Sequence, residues 1–339
     1  MLDKYHNDTF SAVWVEVGRP IGKYAKNNMK LMVEMFPNLK QYLVSDRAIS
    51  LDFVEIIDTK TVPTSERTKQ FLEQKKIWPH KQQYFWLGTT SRFFHLYDAM
   101  KFHGLQNVLH LETDSVLLAE TPIQDFFKRD GNFELAFPLQ SSDLGCASIM
   151  LIRSAKSLEK FLDHILKNWS RSEANDMTLL GEYSVSQEVK ILSTWPSGEK
   201  EEYFYDAGTI GRFFLGSDSR NFRFPFSIRG IVEDRQGSIV KRLEKECYKW
   251  KVKRKDSTLL VELEYQEVRS SLVNIHIHSK SVPRSLRILT LLLRLGFGPR
   301  IPVVWKIGIF DKVVFAERLV SFIQRRLLRN EDFQDKSLR

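Results

Sequence analysis

Hydrophobic positions near the start of the chain follow the period of a strand, then that of a helix, then that of strands again. Residues 11–17 are rich in β-branched and aromatic side chains, and residues 24–35 repeat apolar side chains at helical spacing. Residues 39–44 and 51–57 again have the composition of strands. This alternation predicts an α/β fold, in which helices cover a mostly parallel, Rossmann-like sheet. A nucleotide bound by such a sheet lies beyond the strand ends, here near Val15.

The most informative stretch is 107–118, where a short apolar strand leads into two carboxylates and then turns apolar again. Glu112 and Asp114 are two positions apart, so on an extended chain their side chains point to the same side. Adjacent like charges at a half-buried strand end repel each other, and Mg²⁺ or Mn²⁺ would relieve that repulsion. The alternative is a solvated strand end that carries acidic residues by chance.

A strong helical pattern covers residues 85–102, just before this strand. Thr90 or Ser91 is a candidate cap, which would place Arg92 in the first turn. The helix dipole does not favour a cation there, so the functional interpretation is that Arg92 faces a phosphate or a carboxylate. The alternative is a solvated helix residue.

Two later segments carry candidate polar groups. A helix is predicted to start at Asn175 or Asp176, and Asp176 is either its cap or a carboxylate that faces an acceptor. Residues 203–221 are dense in glycine, aspartate and aromatic residues, and they include Asp206, Gly216, Asp218 and Arg220. This composition is typical of a loop that closes over a polar ligand.

Residues 273–280 form the second informative stretch. Strand alternation puts His276 and His278 on one side, and Lys280 follows directly. An imidazole there can bind a metal, and the ammonium can bind a phosphate. The alternative is a pair of core histidines with satisfied hydrogen bonds.

Composition fits a globular protein in a reducing compartment. The chain has 339 residues, of which 42% are hydrophobic, and it has two cysteines, too few for a disulfide scaffold. The N-terminus lacks the pattern of a signal peptide, and no run reaches the ~18 apolar residues of a membrane span. These features predict a cytoplasmic location.

Positive charge is concentrated near the C-terminus. Residues 282–329 contain ten Arg or Lys and two acidic residues, so they carry eight of the nine net positive charges of the chain. Their pattern predicts basic amphipathic helices that attach through 284–329 to the inner face of an anionic membrane. The alternative is a helix pair docked on the main domain or on a second subunit. A polar tail, 330–339, follows.

The predicted main domain spans residues 1–281 and includes a charged insertion at about 230–270. The basic run in that insertion, 249–255, contains a single aromatic residue, whereas a surface that stacks nucleic-acid bases needs several. We therefore expect no nucleic-acid partner.

Taken together, the motifs within residues 11–281 resemble those of GT-A-type glycosyltransferases, which bind a nucleotide-diphospho-sugar on a metal. Glu112 and Asp114 match the family's Asp-any-Asp motif, with Glu in the first place. The resemblance implies that Asp114 ligates Mn²⁺ or Mg²⁺ and that Glu112 contacts the ribose or the metal. It also implies a late histidine ligand, for which His278 is the first choice and His276 the second.

The resemblance further implies a GT-A-like fold and a set of donor-binding residues. We predict that these are Val15, Arg92, Glu112, Asp114, Gly216 and Lys280, with Lys280 on the diphosphate. If the enzyme inverts, Asp176 is the candidate base, with Asp218 as the second candidate; if it retains, no such base is needed.

The expected activity is transfer of a sugar to a glycan or a lipid-linked acceptor, in cell-surface polysaccharide or lipopolysaccharide synthesis. The alternative is a non-catalytic, membrane-associated scaffold that keeps the fold. The two differ in one property, because a scaffold binds neither nucleotide nor metal.

Overall fold

The computed structural model describes nine stretches of the chain: residues 10–74, 83–129, 133–171, 173–186, 188–195, 203–211, 249–255, 258–265 and 268–277. The described helices are α1 (Lys23–Met35), α2 (Glu66–Glu73), α3 (Gln83–His103), α4 (Thr121–Arg129), α5 (Ala155–Asn168) and α6 (Asp176–Tyr183). The strands of the first half are β1 (Ser11–Glu16), β2 (Lys40–Ser45), β3 (Glu55–Asp58), β4 (Val108–Leu111), β5 (Ser115–Leu117), β6 (Leu135–Ser141), β7 (Leu144–Gly145) and β8 (Ile149–Ile152). The later strands are β9 (Val189–Leu192), β10 (Tyr203–Phe204), β11 (Lys249–Lys255), β12 (Thr258–Tyr265), β13 (Val268–Leu272) and β14 (Asn274–His276).

The central sheet has the strand order β3-β2-β1-β4-β8-β6-β7, and β9 pairs with β6. Strands β3, β2, β1 and β4 are parallel, as the sequence predicts. Strand β8, however, runs antiparallel to both β4 and β6. The α/β class is therefore confirmed, whereas the sheet is mixed rather than mostly parallel. The reversal arises because a short hairpin, β6 to β8, replaces the helical crossover that a parallel strand needs.

Both faces of the sheet are covered, and β1 shows how the sequence achieves this. Val13 and Val15 belong to the core cluster that contains helices α3 and α5. Ala12 and Trp14 belong to the cluster on the other face, which contains α1. Alternate side chains of β1 thus enter two separate cores, as strand geometry requires. Burial on both faces fixes the register and so the height at which β1 ends.

Helix α3 begins earlier than the candidate caps suggest. Thr90 and Ser91 are buried inside the helix, and the hydroxyl of Ser91 donates to the carbonyl of Gly88. Arg92 therefore lies in mid-helix rather than in the first turn, and the prediction of a cap here is wrong. A serine that bonds back to the preceding turn leaves the helix intact, which the sequence pattern alone does not distinguish from a cap.

The stretch 107–118 is two strands rather than one. The N–H of Ser115 donates to the carbonyl of Glu112 (2.9 Å), which forms a turn between β4 and β5. Strand β5 leaves the main sheet and pairs antiparallel with β14. This break brings the late strand β14 next to the end of β4.

The described part of the predicted insertion is β-sheet. Strands β11, β12 and β13 are antiparallel neighbours, and β13 pairs in parallel with β10. Among the helices of the described stretches, none is long and apolar enough to cross a membrane. The basic segment 282–329 and the tail 330–339 lie outside the described residues.

Candidate active site

The ends of β1 and β4 meet at one edge of the central sheet. Val13 pairs with His110, so Val15 lies level with Glu112, two residues farther along each parallel strand. At the end of β1, the buried carboxylate of Glu16 accepts a hydrogen bond from the Thr113 hydroxyl (2.9 Å). This contact ties the turn after β4 to the end of β1.

Asn28 of α1 fixes the same turn from the other side. Its buried side-chain amide donates to the carbonyls of Thr113 (3.0 Å) and Ser115 (2.8 Å). An amide has two donor hydrogens, and both are used here. The backbone between Glu112 and Ser115 is thus held by a helix as well as by a strand.

Three ligand-type side chains converge at this turn. Nε2 of His276 lies 3.1 Å from Oδ1 of Asp114 and 3.5 Å from Oε2 of Glu112. One ligand atom from each residue lies within 4.8 Å of the other two. The side chains are 11%, 9% and 19% exposed for His276, Asp114 and Glu112, so the group is largely shielded from solvent. Carboxylate oxygens with one imidazole nitrogen form a donor set that suits Mn²⁺ or Mg²⁺.

Arg92 joins two carboxylates beside this group. Its guanidinium donates to Oε1 of Glu112 (2.5 Å) and to Oδ2 of Asp176 (2.7 Å). Burial disfavours the charged guanidinium, but Glu112 and Asp176 outweigh that effect and raise the pKa of Arg92 above its ordinary value. Arg92 is therefore a buried cation held between two acidic groups.

Helix α6 carries Asp176 to the site. The side chain of Asn175 caps this helix by accepting from the N–H groups of Met177 (3.0 Å) and Thr178 (3.1 Å). Asn175 is thus the cap, and Asp176 is the first residue of the helix, facing Arg92. Burial raises the pKa of Asp176, while Arg92 acts in the opposite direction.

The pKa values of two histidines at the site are shifted in opposite directions. Burial and the neighbouring Arg92 lower the pKa of His110 to about 3, and its Nδ1–H donates to the carbonyl of Val13 (3.0 Å). For His276, burial opposes the charged form, but Cys146 and Glu112 raise its pKa above the ordinary value. His110 is therefore a neutral core residue, whereas His276 is the histidine that responds to the acidic group.

The structure brings five of the predicted site residues into one group: Arg92, Glu112, Asp114, Asp176 and His276. A sixth, Val15, lies at the end of the adjacent strand β1. His276, the second choice for the metal ligand, joins the cluster. Four other predicted residues lie outside the described stretches and stay predictions: Gly216, Asp218, His278 and Lys280.

Sequence reasoning missed two residues that hold the site. Glu16 follows an apolar strand directly, which marks it as a lone acid at a strand end. Asn28 interrupts the apolar face of α1 between Ala25 and Met29, and a buried amide on such a face needs partners. Both signals are visible in the sequence, but neither shows which backbone groups the side chain binds.

No protein-family model and no curated protein matches the sequence. Among solved structures, the galactosyltransferase LgtC in complex with donor and acceptor sugar analogs is 12% identical; the match covers 88% of this chain and 99% of that one, with a TM-score of 0.42. Mouse xyloside xylosyltransferase 1 is 12% identical, over 58% of this chain and 88% of that one, with a TM-score of 0.39. The bifunctional glycosyltransferase WbbM is 11% identical, over 71% of this chain and 45% of that one, with a TM-score of 0.38. All three structures are named as glycosyltransferases. Identities of 11–12% and TM-scores of 0.38–0.42 assign this chain to no family.

Proposed function

We propose that the protein is a metal-dependent glycosyltransferase that uses a nucleotide-diphospho-sugar donor. The observation that carries this proposal is the convergence of Glu112, Asp114 and His276 at the end of a central strand. Ligands of open α/β sheets bind beyond such strand ends. The motif resemblance suggests the reaction class, and the convergence of these three side chains supports a metal ion at this turn.

The charges around the site fit a divalent cation. Glu112, Asp114 and Asp176 contribute three carboxylates, and Arg92 contributes one guanidinium in direct contact with two of them. Acidic groups therefore outnumber basic groups among these four side chains, and one Mn²⁺ or Mg²⁺ ion would reduce that excess. Glu112, Asp114 and His276 would hold the ion. When bound, it supplies positive charge that stabilises a leaving nucleoside diphosphate.

Arg92 has two effects in this proposal. Its hydrogen bonds fix the carboxylates of Glu112 and Asp176, so neither group has to reorganise when a donor binds. Its charge also reduces the repulsion between them. Arg92 is buried against Glu112 and Asp176, beside the proposed metal site. We therefore assign it to the wall of the donor site, together with Val15 at the adjacent strand end.

Asp176 is the proposed base if the enzyme inverts the configuration of the sugar. A general base needs enough proton affinity to take the hydroxyl proton of the acceptor. Burial raises the pKa of Asp176, which moves this carboxylate in the required direction. If the enzyme retains configuration, no such base is needed.

We further propose a glycan or lipid-linked acceptor at the inner face of a membrane, in cell-surface polysaccharide or lipopolysaccharide synthesis. The support is the charge of residues 282–329, which carry eight of the nine net positive charges. A basic segment of this kind would bring the active site to an anionic surface that presents lipid-linked acceptors.

A thermal-shift panel tests whether the protein binds a nucleotide together with a metal, as the proposed activity requires. The purified full chain is heated with Mn²⁺, with each common nucleoside diphosphate, and with each pair. A ligand that binds only the folded state raises the melting temperature. We expect stabilisation by one nucleotide only when Mn²⁺ is present, and its loss in Asp114→Ala. No shift with any pair at millimolar ligand would instead favour the scaffold alternative.

A further inference from the structure

Another buried carboxylate, that of Asp206, contacts the main chain of His276 at the proposed metal site. Oδ1 of Asp206 accepts hydrogen bonds from the N–H groups of Gly208 (2.7 Å) and Ile210 (3.0 Å). Its Oδ2 accepts from the N–H groups of Gly211 (2.8 Å) and His276 (2.9 Å). Asp206 is completely buried. Four backbone donors on one carboxylate compensate for the removal of its charge from water.

This carboxylate joins two segments that are distant in the sequence. Three of its donors belong to the segment 208–211, of which residues 209–211 are helical, and the fourth is the main chain of His276, the histidine of the proposed metal site. A Cβ atom at Gly211 would lie 1.9 Å from the carbonyl oxygen of His276 and 2.9 Å from Oδ2 of Asp206. The segment 208–211 therefore packs directly against the backbone of His276, and only glycine fits at position 211.

The backbone of Asp206 is fixed as well. Its N–H donates to Oδ1 of Asn274 (3.1 Å), and its carbonyl accepts from the hydroxyl of Ser148 (2.9 Å) and from the amide of Asn274 (3.2 Å). The same Asn274 amide also lies 3.3 Å from the hydroxyl of Ser115, in the strand that follows the acidic turn. These contacts link Asp206 to both halves of the proposed metal site.

We infer that Asp206 is a positioning residue for the metal site: it holds the main chain of His276 so that the imidazole meets Asp114 and Glu112. This inference rests on the proposed function, because it assigns a role within the same site. Asp206 supplies no ligand itself. It acts on a residue that does, and groups of this kind change metal affinity by about 10-fold to 100-fold when they are removed.

Asp206→Asn is the sharpest variant, because it keeps the shape of the side chain. One oxygen becomes an NH₂ group, which cannot accept from the two N–H groups that face it. The control is Ser157→Ala, which removes a buried hydroxyl from the cap of α5, away from the site. Both variants lose buried hydrogen bonds, but only Asp206 is bonded to the main chain of His276.

The experiment titrates Mn²⁺ alone into the full chain and follows free Mn²⁺ by electron paramagnetic resonance. We expect about 10-fold to 100-fold weaker binding in Asp206→Asn and unchanged binding in Ser157→Ala. Equal affinity of Asp206→Asn and the natural protein would overturn the inference while leaving the metal site in place. If Asp206→Asn does not fold, Ser148→Ala replaces it, with an expected loss of about threefold or more; unchanged affinity there also overturns the inference.

A second readout separates this inference from the proposed function. Histidine-labelled protein without metal gives an NMR signal from the imidazole of His276, assigned with His276→Ala. We expect Asp206→Asn to shift or broaden this signal and Ser157→Ala to leave it unchanged. Absence of Mn²⁺ binding in the natural protein would count against the proposed metal site. An unchanged His276 signal in Asp206→Asn would count against the positioning role, whether or not metal binds.

Discussion

Nε2 of His276 lies 3.1 Å from Oδ1 of Asp114, although the two residues come from distant parts of the chain. The main chain joins the same two segments, because the N–H of Ile277 donates to the carbonyl of Asp114 (2.7 Å). Side-chain proximity at this point therefore follows from the pairing of β14 with β5. A metal site built across this pairing forms only in the folded protein.

Removal of one ligand-type side chain should abolish tight metal binding. We expect Asp114→Asn and His276→Ala each to weaken Mn²⁺ binding by about 100-fold or more, since a direct ligand contributes at least as much as its supporting groups. Isothermal titration measures the affinities. Glu66→Gln is the matched control, because Glu66 is an exposed carboxylate paired with Lys69 on α2. An equal loss in the control would mean that Mn²⁺ binds by general surface charge.

As the pH is lowered, metal affinity should begin to fall at a higher pH than it would with a histidine of ordinary pKa. Only the neutral imidazole binds a metal, and the pKa of His276 is raised above 6.5, chiefly by Cys146 and Glu112 against the effect of burial. The apparent affinity should therefore begin to fall at a pH above 6.5 as the solution is acidified. Mn²⁺ titrations from about pH 8 to about pH 5.5 measure this. His276→Ala should show a nearly flat profile over that range, because free carboxylates titrate lower.

The buried cation Arg92 should matter for stability as well as for the site. Arg92→Met leaves Glu112 and Asp176 without their shared partner, and loss of one member of a buried ion pair costs about 3–5 kcal/mol. Arg67→Met is the control, because it removes a partly exposed pair with Asp163, where a loss of about 1 kcal/mol or less is expected. Urea unfolding gives both free energies. Similar losses in the two variants would contradict the buried-triad description.

The neutral His110 should make the fold less stable in acid. Its pKa is about 3 when folded, against 6.5 for an unshifted histidine, so between these values the unfolded chain binds a proton that the folded chain does not. The free energy of unfolding should then fall by about 1.4 kcal/mol per pH unit as the pH drops below 6.5.

The variant His110→Asn isolates this contribution, because asparagine keeps a donor for the carbonyl of Val13 but does not titrate. Urea unfolding at several pH values should show a shallower decline in the variant than in the natural protein. Parallel curves for the two proteins would show that His110 is not the source of the pH dependence.

Glycine at position 181 should be required where α6 packs against the hairpin of β6 and β7. A Cβ atom there would lie 2.1 Å from the carbonyl oxygen of Asp143 and 2.9 Å from the nitrogen of Leu144. Gly181→Ala should destabilise the protein by about 1–3 kcal/mol, since backbone has to move. Gly88→Ala is the control, with nothing within 4 Å of the added carbon and an expected gain of up to about 1 kcal/mol in α3. Thermal unfolding should give a lower melting temperature for Gly181→Ala than for the natural protein, and an equal or higher one for Gly88→Ala.

Local pattern was sufficient for most elements of the main domain. Residue composition predicted β1, helical spacing predicted α1 and α3, and a cap at Asn175 or Asp176 predicted the start of α6. These features depend on neighbours within a few residues, so they can be read from the sequence. The acidic pair Glu112 and Asp114 was also found in this way, because it follows an apolar strand directly.

The sequence by itself determined which functional groups are present. These are the acidic residues at a strand end, an arginine in a largely apolar helix, and histidines in a late strand. Tertiary structure decided how these groups meet. It placed Arg92 in mid-helix between two carboxylates, turned the chain between β4 and β5, and reversed β8 in the sheet. It also gave Asp206 its four backbone donors, one of them from His276. The physical reason is that the ion pairs of Arg92, the pairing of β4 with β8 and the bond between Asp206 and His276 join segments far apart in the chain. Their free energy appears only when distant strands pair and exclude water.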